Sequence, residues 1–132
     1  MPNPDPRKLL EAAKAAAEKA HAPYSKFHVG AALLAGKETV FTGCNVENAS
    51  YGLTNCAERT AIFTAVAAGH KSFAAIAIVA DGYQKPYPCG ACRQVLSEFC
   101  GADMPVYVAS ISNLDAFETM TLGALLPKSF EF

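Results

Sequence analysis

An uninterrupted apolar run between two predicted helices is the feature that most constrains the fold of this chain. The run extends from Phe73 to Ala80, and a strand with this pattern is typically buried on both faces of a sheet. One helix is predicted before it, over Cys56–Ala68 with Gly69 closing it, and another follows over Cys89–Phe99. Helices flanking a doubly buried strand indicate a layered α/β fold.

The remaining segments complete the predicted order α β β α β α β β. The first helix begins at Asp5-Pro6, an N-cap with proline at the first helical position, and ends at His21-Ala22-Pro23. Further strands are predicted over 28–35, 39–46, 105–111 and 117–121, with one helical turn over 122–126. The expected fold is a three-layer α/β/α sandwich around a five-stranded mixed sheet. Residues 1–132 are expected to form a single domain.

Two cysteine-containing segments lie where predicted loops enter helices, Cys56-Ala57-Glu58 and Pro88-Cys89-Gly90-Ala91-Cys92. The 32 residues between Cys56 and Cys89 hold one helix and one strand, so both segments can return to the same end of the sheet. A helix N-terminus lowers a thiol pKa and favours the thiolate that zinc requires. Three thiolates leave one tetrahedral position open, which is typical of a catalytic zinc site.

Two neighbours of Cys56 fit such a site. Glu58 is placed beside metal-bound water to take and return protons, and Arg59 can donate hydrogen bonds that offset the excess charge of three thiolates. Other interpretations stay open at this stage. The cysteines could form a structural zinc site or a redox Cys-x-x-Cys pair, Glu58 could be an exposed first-turn acid, and Arg59 could form a surface salt bridge.

The spacing of these residues matches the zinc deaminase signature, in which Cys-x-Glu is followed by Pro-Cys-x-x-Cys. The chain resembles cytidine deaminases of the small homotetrameric type over most of its length. The matching segments are 23–27, 29–32, 43–48, 56–61, 88–95 and 125–127. One departure from the family pattern is His28, where proline is common.

The resemblance implies a reaction and a metal. The reaction is the hydrolytic deamination of cytidine and deoxycytidine to uridine and deoxyuridine with release of ammonia, in pyrimidine nucleoside salvage. One zinc ion per subunit would be bound by Cys56, Cys89 and Cys92. Glu58 would be the catalytic proton shuttle, and Arg59 would support the ligands without binding the metal.

The resemblance also implies how the substrate is held. The implied substrate-binding residues are Phe27, Asn45, Glu47, Ala57, Tyr51 and Phe130. The asparagine and glutamate would hydrogen-bond the ribose hydroxyls, and Phe27 would pack on the pyrimidine ring. Tyr51 and Phe130 would reach a neighbouring subunit's pocket. From the residues alone, Phe27 could instead be core, the Asn45–Glu47 stretch could cap a turn, and Tyr51 could be an ordinary loop aromatic.

Charge and hydropathy exclude several classes of protein. A formal net charge of −1 lacks the basic footprint of a nucleic-acid binder. The longest apolar run has eight residues, too few to cross a bilayer. The segment Met1–Lys8 is polar, with no apolar signal-peptide region, so a cytoplasmic protein is expected. Five cysteines, an odd number, without an export signal do not suggest a disulfide framework, so Cys44 and Cys100 are interpreted as small core residues.

Hydrophobic residues make up 52% of the chain, and together with its Ala-rich helices this suits an oligomer. The resemblance implies a homotetramer with shared active sites. Three competing functions are a deaminase of a nucleoside-like antibiotic, a nucleic-acid-editing deaminase and a non-catalytic zinc module. Glu47 argues against the first, and Glu58 would have no purpose in the last. Editing relatives typically insert a helix between the last two strands and run them parallel, whereas a short turn is predicted here.

Overall fold

The computed structural model describes residues 5–82 and 85–130 and arranges them around one five-stranded sheet with the order β2-β1-β3-β4-β5. The strands are β1 (Val29–Ala35), β2 (Thr39–Cys44), β3 (Ala75–Ala80), β4 (Pro105–Ser110) and β5 (Asn113–Thr121). The helices are α1 (Pro6–Ala17), α2 (Ala57–Ala67), α3 (Gly90–Phe99) and α4 (Leu122–Leu125), and a 3₁₀ turn spans Tyr51–Leu53. Strands β3 and β4 pair in parallel and the other neighbours pair antiparallel, so the sheet is mixed as predicted.

Helices cover both faces of the sheet because its central strands alternate two sets of apolar side chains. Leu33 of β1 and Ile76 and Ile78 of β3 face the core beneath α2 and α3. Leu34 and Val79 face the opposite core, beneath α1. Every residue of β3 is buried, as expected for a strand covered on both sides. The predicted three-layer sandwich is therefore confirmed.

Two glycines allow the helices to approach the sheet closely. A Cβ atom at Gly30 of β1 would lie 1.9 Å from the Ala13 carbonyl oxygen of α1. A Cβ atom at Gly43 of β2 would lie 2.5 Å from the Ala57 carbonyl oxygen of α2. Both obstacles are backbone atoms, so these strands and helices pack at distances that only glycine permits.

Two predicted elements end earlier than expected, for a shared reason. Helix α1 begins at Pro6 with Asp5 as its N-cap, but it ends at Ala17 rather than near His21. Strand β2 was predicted to reach Val46 and ends at Cys44. The His21 amide donates to the Asn45 carbonyl (3.0 Å), and the Glu47 amide donates to the His21 carbonyl (2.8 Å). These hydrogen bonds between distant segments end helix α1 and strand β2 earlier than the local sequence pattern predicts.

The last strand is longer than predicted. Strand β5 begins at Asn113, not Phe117, and Asn113 pairs with Ser110 across a register shift in β4. Leu114 is buried in the core beneath α1, and this burial extends the strand toward the turn. Strands β4 and β5 are antiparallel and joined by a short turn, as predicted.

Cys44 and Cys100 are interpreted from the sequence as small core residues. Cys44 and Cys100 are half-buried rather than fully buried, although Cys100 packs against the core beneath α2 and α3. Within residues 5–82 and 85–130, none of the helices has the length and apolar character required to cross a membrane.

Candidate active site

Three cysteine side chains meet where α2 and α3 begin. Cys56 is the N-cap of α2, Cys89 is the N-cap of α3, and Cys92 lies in the first turn of α3. Cys56 Sγ is 4.0 Å from Cys89 Sγ, which is 3.4 Å from Cys92 Sγ, and the three sulfurs all lie within 4.8 Å of one another. Cys92 is buried, Cys56 is half-buried and Cys89 is exposed, so the cluster opens to solvent on one side.

The spacing of the sulfurs fits a zinc ion. Zn–S bonds of about 2.3 Å in a tetrahedron place neighbouring sulfurs about 3.8 Å apart. The Cys56–Cys89 and Cys89–Cys92 sulfur separations, 4.0 and 3.4 Å, lie on either side of that value. No imidazole or carboxylate of the described residues joins the cluster, so the cluster could offer three ligands to a metal and leave the fourth tetrahedral position open.

Hydrogen bonds within the cluster favour the thiolate form of Cys56. The pKa of Cys56 is lowered to about 5, chiefly because the Cys92 thiol donates to it and then because Arg59 does. Donation to Cys56, together with burial, raises the pKa of Cys92. Arg59 donates from Nη2 to Cys56 Sγ over 3.3 Å. Arg59, predicted to donate hydrogen bonds to the thiolates, thus lies within hydrogen-bond distance of one cysteine sulfur.

Glu58 is a buried carboxyl group in the first turn of α2. Its exposed fraction is 5%, and burial, reinforced by the charge of Cys56, raises its pKa to about 7. The position excludes the interpretation of an exposed first-turn acid. A carboxyl group whose pKa lies near neutrality can both accept and return a proton, which is what a general acid–base residue requires.

Phe27, Asn45 and Glu47 lie together at the ends of β1 and β2. Asn45 is buried; its Nδ2 donates to the Phe27 carbonyl (2.7 Å) and its Oδ1 accepts from the Val29 amide (2.9 Å). Phe27 is 44% exposed, so it is not a core residue. A large aromatic side chain left partly open beside a polar pair is suited to stacking on a planar ligand.

Glu47 lines an open cleft of about 390 Å³. The other lining residues are Tyr24, Ser25, Asn48, Tyr51 and Thr54. Glu47 Oε1 accepts from the amides of Tyr24 (3.0 Å) and Ser25 (3.1 Å), and Oε2 accepts from the Ser25 hydroxyl. Thr54, which lines the cleft, lies two residues before Cys56 in the sequence.

The other predicted substrate-binding residues are Ala57, Tyr51 and Phe130, and they differ in burial. Ala57 is buried at the start of α2. Tyr51 is 76% exposed and packs edge-on against Tyr24, with ring centroids 6.2 Å apart. Phe130 is 67% exposed. The structure thus brings Tyr51 to the cleft that contains Glu47, and large parts of both Tyr51 and Phe130 are exposed.

Sequence reasoning did not single out several residues that build this site. Ser25 and Tyr24 were recognised only as parts of a matching segment, although they hold Glu47. Arg93 donates from Nε to the Pro88 carbonyl (2.7 Å) and from Nη1 to the Leu125 carbonyl (2.8 Å). These two hydrogen bonds connect the loop before α3 to α4. Their presence inside the segments 23–27 and 88–95 was the one available signal.

Comparisons with known proteins agree with this geometry. A family model described as "Cytidine and deoxycytidylate deaminase zinc-binding region" matches residues 4–108. Cytidine deaminase of Sporosarcina psychrophila is 54% identical over 126 residues, covering 96% of this chain and 91% of that protein. Cytidine deaminase of Halalkalibacterium halodurans is 49% identical, covering 96% of this chain and 94% of that protein. The crystal structure of cytidine deaminase from Burkholderia pseudomallei superimposes with a TM-score of 0.88 at 53% identity, covering 93% of this chain and 97% of that one.

Proposed function

Since this chain belongs to the cytidine and deoxycytidylate deaminase family, we propose that it deaminates cytidine and deoxycytidine hydrolytically to uridine and deoxyuridine. Ammonia is the second product. The observation that carries the proposal is the buried Glu58 carboxyl group two residues after a cysteine of the three-sulfur cluster. A zinc-binding module without catalysis would have no use for that acid.

Zinc is the cofactor of this family's zinc-binding region, and the three-sulfur cluster fits it. Cys56, Cys89 and Cys92 are the proposed ligands, one ion per subunit. When bound, zinc would lower the pKa of water and supply the nucleophile for the reaction at neutral pH. Arg59 is proposed to support the ligands from outside the metal, through its hydrogen bond to Cys56.

Glu58 is proposed to move the protons. The reaction adds water at C4 of the pyrimidine and expels the exocyclic amino group as ammonia. Glu58 first accepts a proton from water and delivers it to ring N3, which makes C4 more electrophilic. It then takes the proton of the hydroxyl group now on C4 and delivers it to the amino group, so that C4 becomes a carbonyl and the amino group leaves as neutral ammonia. Both transfers suit a carboxyl group with a pKa of about 7.

The substrate is proposed to lie between the cluster and the cleft. Asn45 and Glu47 are placed to hydrogen-bond the sugar hydroxyls. Asn45 retains a second N–H and a second lone pair beyond its two backbone contacts. Phe27 packs on the base, and Ala57 lies beside it at the start of α2. A site of this kind rejects a bare base because its polar groups would be left unpaired.

A free nucleoside is favoured over a polynucleotide. No lysine or arginine is among the residues that line the cleft, and its charged lining residue is Glu47. Antiparallel pairing of β4 and β5, without an inserted helix, also departs from the arrangement typical of editing relatives. Phosphate recognition would require positive charge along the strand.

We further propose a cytoplasmic homotetramer acting in pyrimidine salvage, with residues 1–132 as one catalytic domain. Large apolar side chains are exposed in the single chain, and a second chain would cover them. They are Tyr24, Phe27, Val40, Val46, Tyr51, Leu53, Phe63, Tyr87 and Phe130. Tyr51 and Phe130 are proposed to enter a neighbouring subunit's site.

One assay tests the central proposal. Purified protein is incubated with cytidine, deoxycytidine, cytosine or a single-stranded oligonucleotide, and the loss of ultraviolet absorbance and the release of ammonia are followed while zinc is quantified in the same sample. We expect turnover of both nucleosides, none of the base or the oligonucleotide, and one zinc per chain. A zinc-loaded protein that leaves both nucleosides intact contradicts the proposal.

A further inference from the structure

Hydrogen bonds hold both the carbonyl and the amide of Phe27. Each set of bonds leads to one of the two side chains proposed to bind the sugar hydroxyls, Asn45 or Glu47. Asn45 Nδ2 donates directly to the Phe27 carbonyl over 2.7 Å. On the other side, the Phe27 amide donates to Ser25 Oγ over 3.0 Å, and the Ser25 hydroxyl donates to Glu47 Oε2. We call this second series of contacts the Ser25 bridge.

The chemistry of the groups decides which one donates and which one accepts in each hydrogen bond of the Ser25 bridge. Donation by the Ser25 hydroxyl, and then by the amides of Ser25 and Tyr24, lowers the pKa of Glu47, so this carboxylate is ionised at neutral pH and only accepts hydrogen bonds. A hydroxyl has one proton, and here it points to Glu47. The hydroxyl lone pair is then free to accept from the Phe27 amide, which can only donate.

Glu47 has room for one more donor, on the oxygen that Ser25 contacts. Its two oxygens offer about four lone-pair positions. Oε1 already receives two amides, at 3.0 and 3.1 Å, whereas Oε2 receives only the Ser25 hydroxyl among the contacts described. A ligand hydroxyl that donates to Glu47 would therefore share Oε2 with Ser25.

The backbone between Ser25 and Phe27 depends on such contacts. Lys26 has φ 61°, a left-handed conformation that disfavours a residue with a side chain. Its amide donates to the Ala22 carbonyl over 3.0 Å, and Ser25 and Phe27 are held as described. Without the Ser25 hydroxyl, the Phe27 amide loses its hydrogen bond, and on that side only the Lys26 amide, among the contacts described, still opposes relaxation of the turn toward Phe27.

We propose that Ser25 is a positioning residue whose hydroxyl transmits the position of the Glu47 carboxylate to the Phe27 backbone, so that binding of the sugar sets the aromatic ring against the base. The inference rests on the proposed function, in which Glu47 binds a sugar hydroxyl and Phe27 packs on the base. Ser25 itself contacts neither the base nor the reacting atoms.

Kinetics of the zinc-loaded enzyme with cytidine test the coupling. We expect Ser25→Ala to lower kcat/KM about tenfold, mainly through KM, which is the size expected when a hydrogen bond to a charged group is lost. Ser25→Thr keeps the hydroxyl and should stay within about threefold of wild type. In a Glu47→Gln background, Ser25→Ala should cost less than about twofold, because the charged acceptor of the Ser25 hydroxyl is already lost. Ser97→Ala, which removes the hydroxyl that donates to the Gln94 carbonyl on α3, is the matched control and should leave both constants unchanged.

Amide hydrogen exchange gives a readout independent of turnover. Exchange of the Phe27 amide should accelerate in Ser25→Ala and also in Glu47→Gln, although Glu47 does not contact that amide, while zinc content and Tm stay at wild-type values.

The outcomes separate this inference from the proposed function. An active wild type in which Ser25→Ala costs the same factor in both backgrounds, or in which Glu47→Gln leaves Phe27 exchange unchanged, overturns the Ser25 bridge alone. A zinc-loaded wild type that does not turn over cytidine overturns the proposed function and this inference with it.

Discussion

Arg59 Nη2 lies 3.3 Å from Cys56 Sγ, across the first turn of α2, and donates a hydrogen bond to it. Nε of the same guanidinium is buried, with no hydrogen-bond partner among the described residues. The hydrogen bond to Cys56, and then the negative charge of the cysteines, raises the pKa of Arg59 further above its already high value, so the guanidinium stays charged. When a metal is bound, such a permanent cation would offset part of the charge that three thiolate ligands bring to it.

Arg59→Gln should weaken zinc binding. The substitution removes the cation while keeping a hydrogen-bond donor, and losses of supporting contacts around metal ligands typically cost 10–100-fold in affinity or activity. Competition with a chromogenic chelator measures the zinc affinity directly. Arg7→Gln, which breaks exposed ion pairs with Glu11 and Asp115, is the control. If Arg59→Gln has the same zinc affinity and the same pH–rate profile as the wild type, Arg59 does not support the metal ligands.

Glu58→Gln should retain zinc and lose nearly all turnover. Glutamine has the shape of the acid but cannot carry the proton, and general acid–base catalysis typically contributes 10²–10⁴-fold. Stopped assays with cytidine measure the turnover, and metal analysis of the same preparation measures the zinc content. The exposed Glu98 on α3 offers a control, and Glu98→Gln should leave kcat unchanged. Substantial turnover by zinc-loaded Glu58→Gln contradicts the shuttle role.

The sequence predicted the layers and the metal cluster because both follow from short-range patterns. The apolar run at Phe73–Ala80 indicated a strand buried on both faces, and β3 is buried throughout. The cysteines were predicted at helix starts, and Cys56 and Cys89 are N-caps. Spacing alone placed them at one end of the sheet, and the structure brings their sulfurs to 4.0 Å.

Contacts between distant segments could not be predicted in the same way. Periodicity favoured a first helix that continues to His21, whereas pairing of His21 with Asn45 and Glu47 ends it at Ala17. The Ser25 bridge likewise joins residues 22 positions apart, and no local pattern specifies such a pair. Tertiary hydrogen bonds of this kind override propensity at the edges of elements.

Glu47→Gln should raise KM for cytidine while zinc content stays at the wild-type value. Glu47 accepts from two amides and a hydroxyl, and glutamine replaces one accepting oxygen by a donating NH₂ group that faces these donors. We expect KM to rise at least about tenfold, the cost of losing one charged hydrogen bond. Steady-state kinetics measure it. An unchanged KM would count against sugar binding by this carboxylate.

Removal of zinc should abolish activity and lower Tm. The metal would join the first turns of α2 and α3, and a ligand bound only by the folded state stabilises it by mass action. Dialysis against a chelator followed by calorimetry should show a fall of several degrees, with activity and Tm both restored by zinc and not by magnesium. Cys100→Ser, outside the cluster, should bind zinc normally. Retention of full activity after zinc has been removed would refute the metal's role.

Gly30→Ala should destabilise the fold strongly, because the new methyl group meets a helix backbone. Its Cβ would lie 1.9 Å from the Ala13 carbonyl oxygen and 2.6 Å from the Ala17 amide nitrogen, so α1 would have to move as a body. We expect a loss of about 3 kcal/mol in the free energy of unfolding, the upper end for overpacked cores. Gly101→Ala is the matched control, since nothing lies within 4 Å of its added Cβ, and its effect should stay within about 0.5 kcal/mol. Urea unfolding of both zinc-loaded variants at one protein concentration makes the comparison, and equal midpoints would show that α1 does not approach β1 as closely as the structure has it.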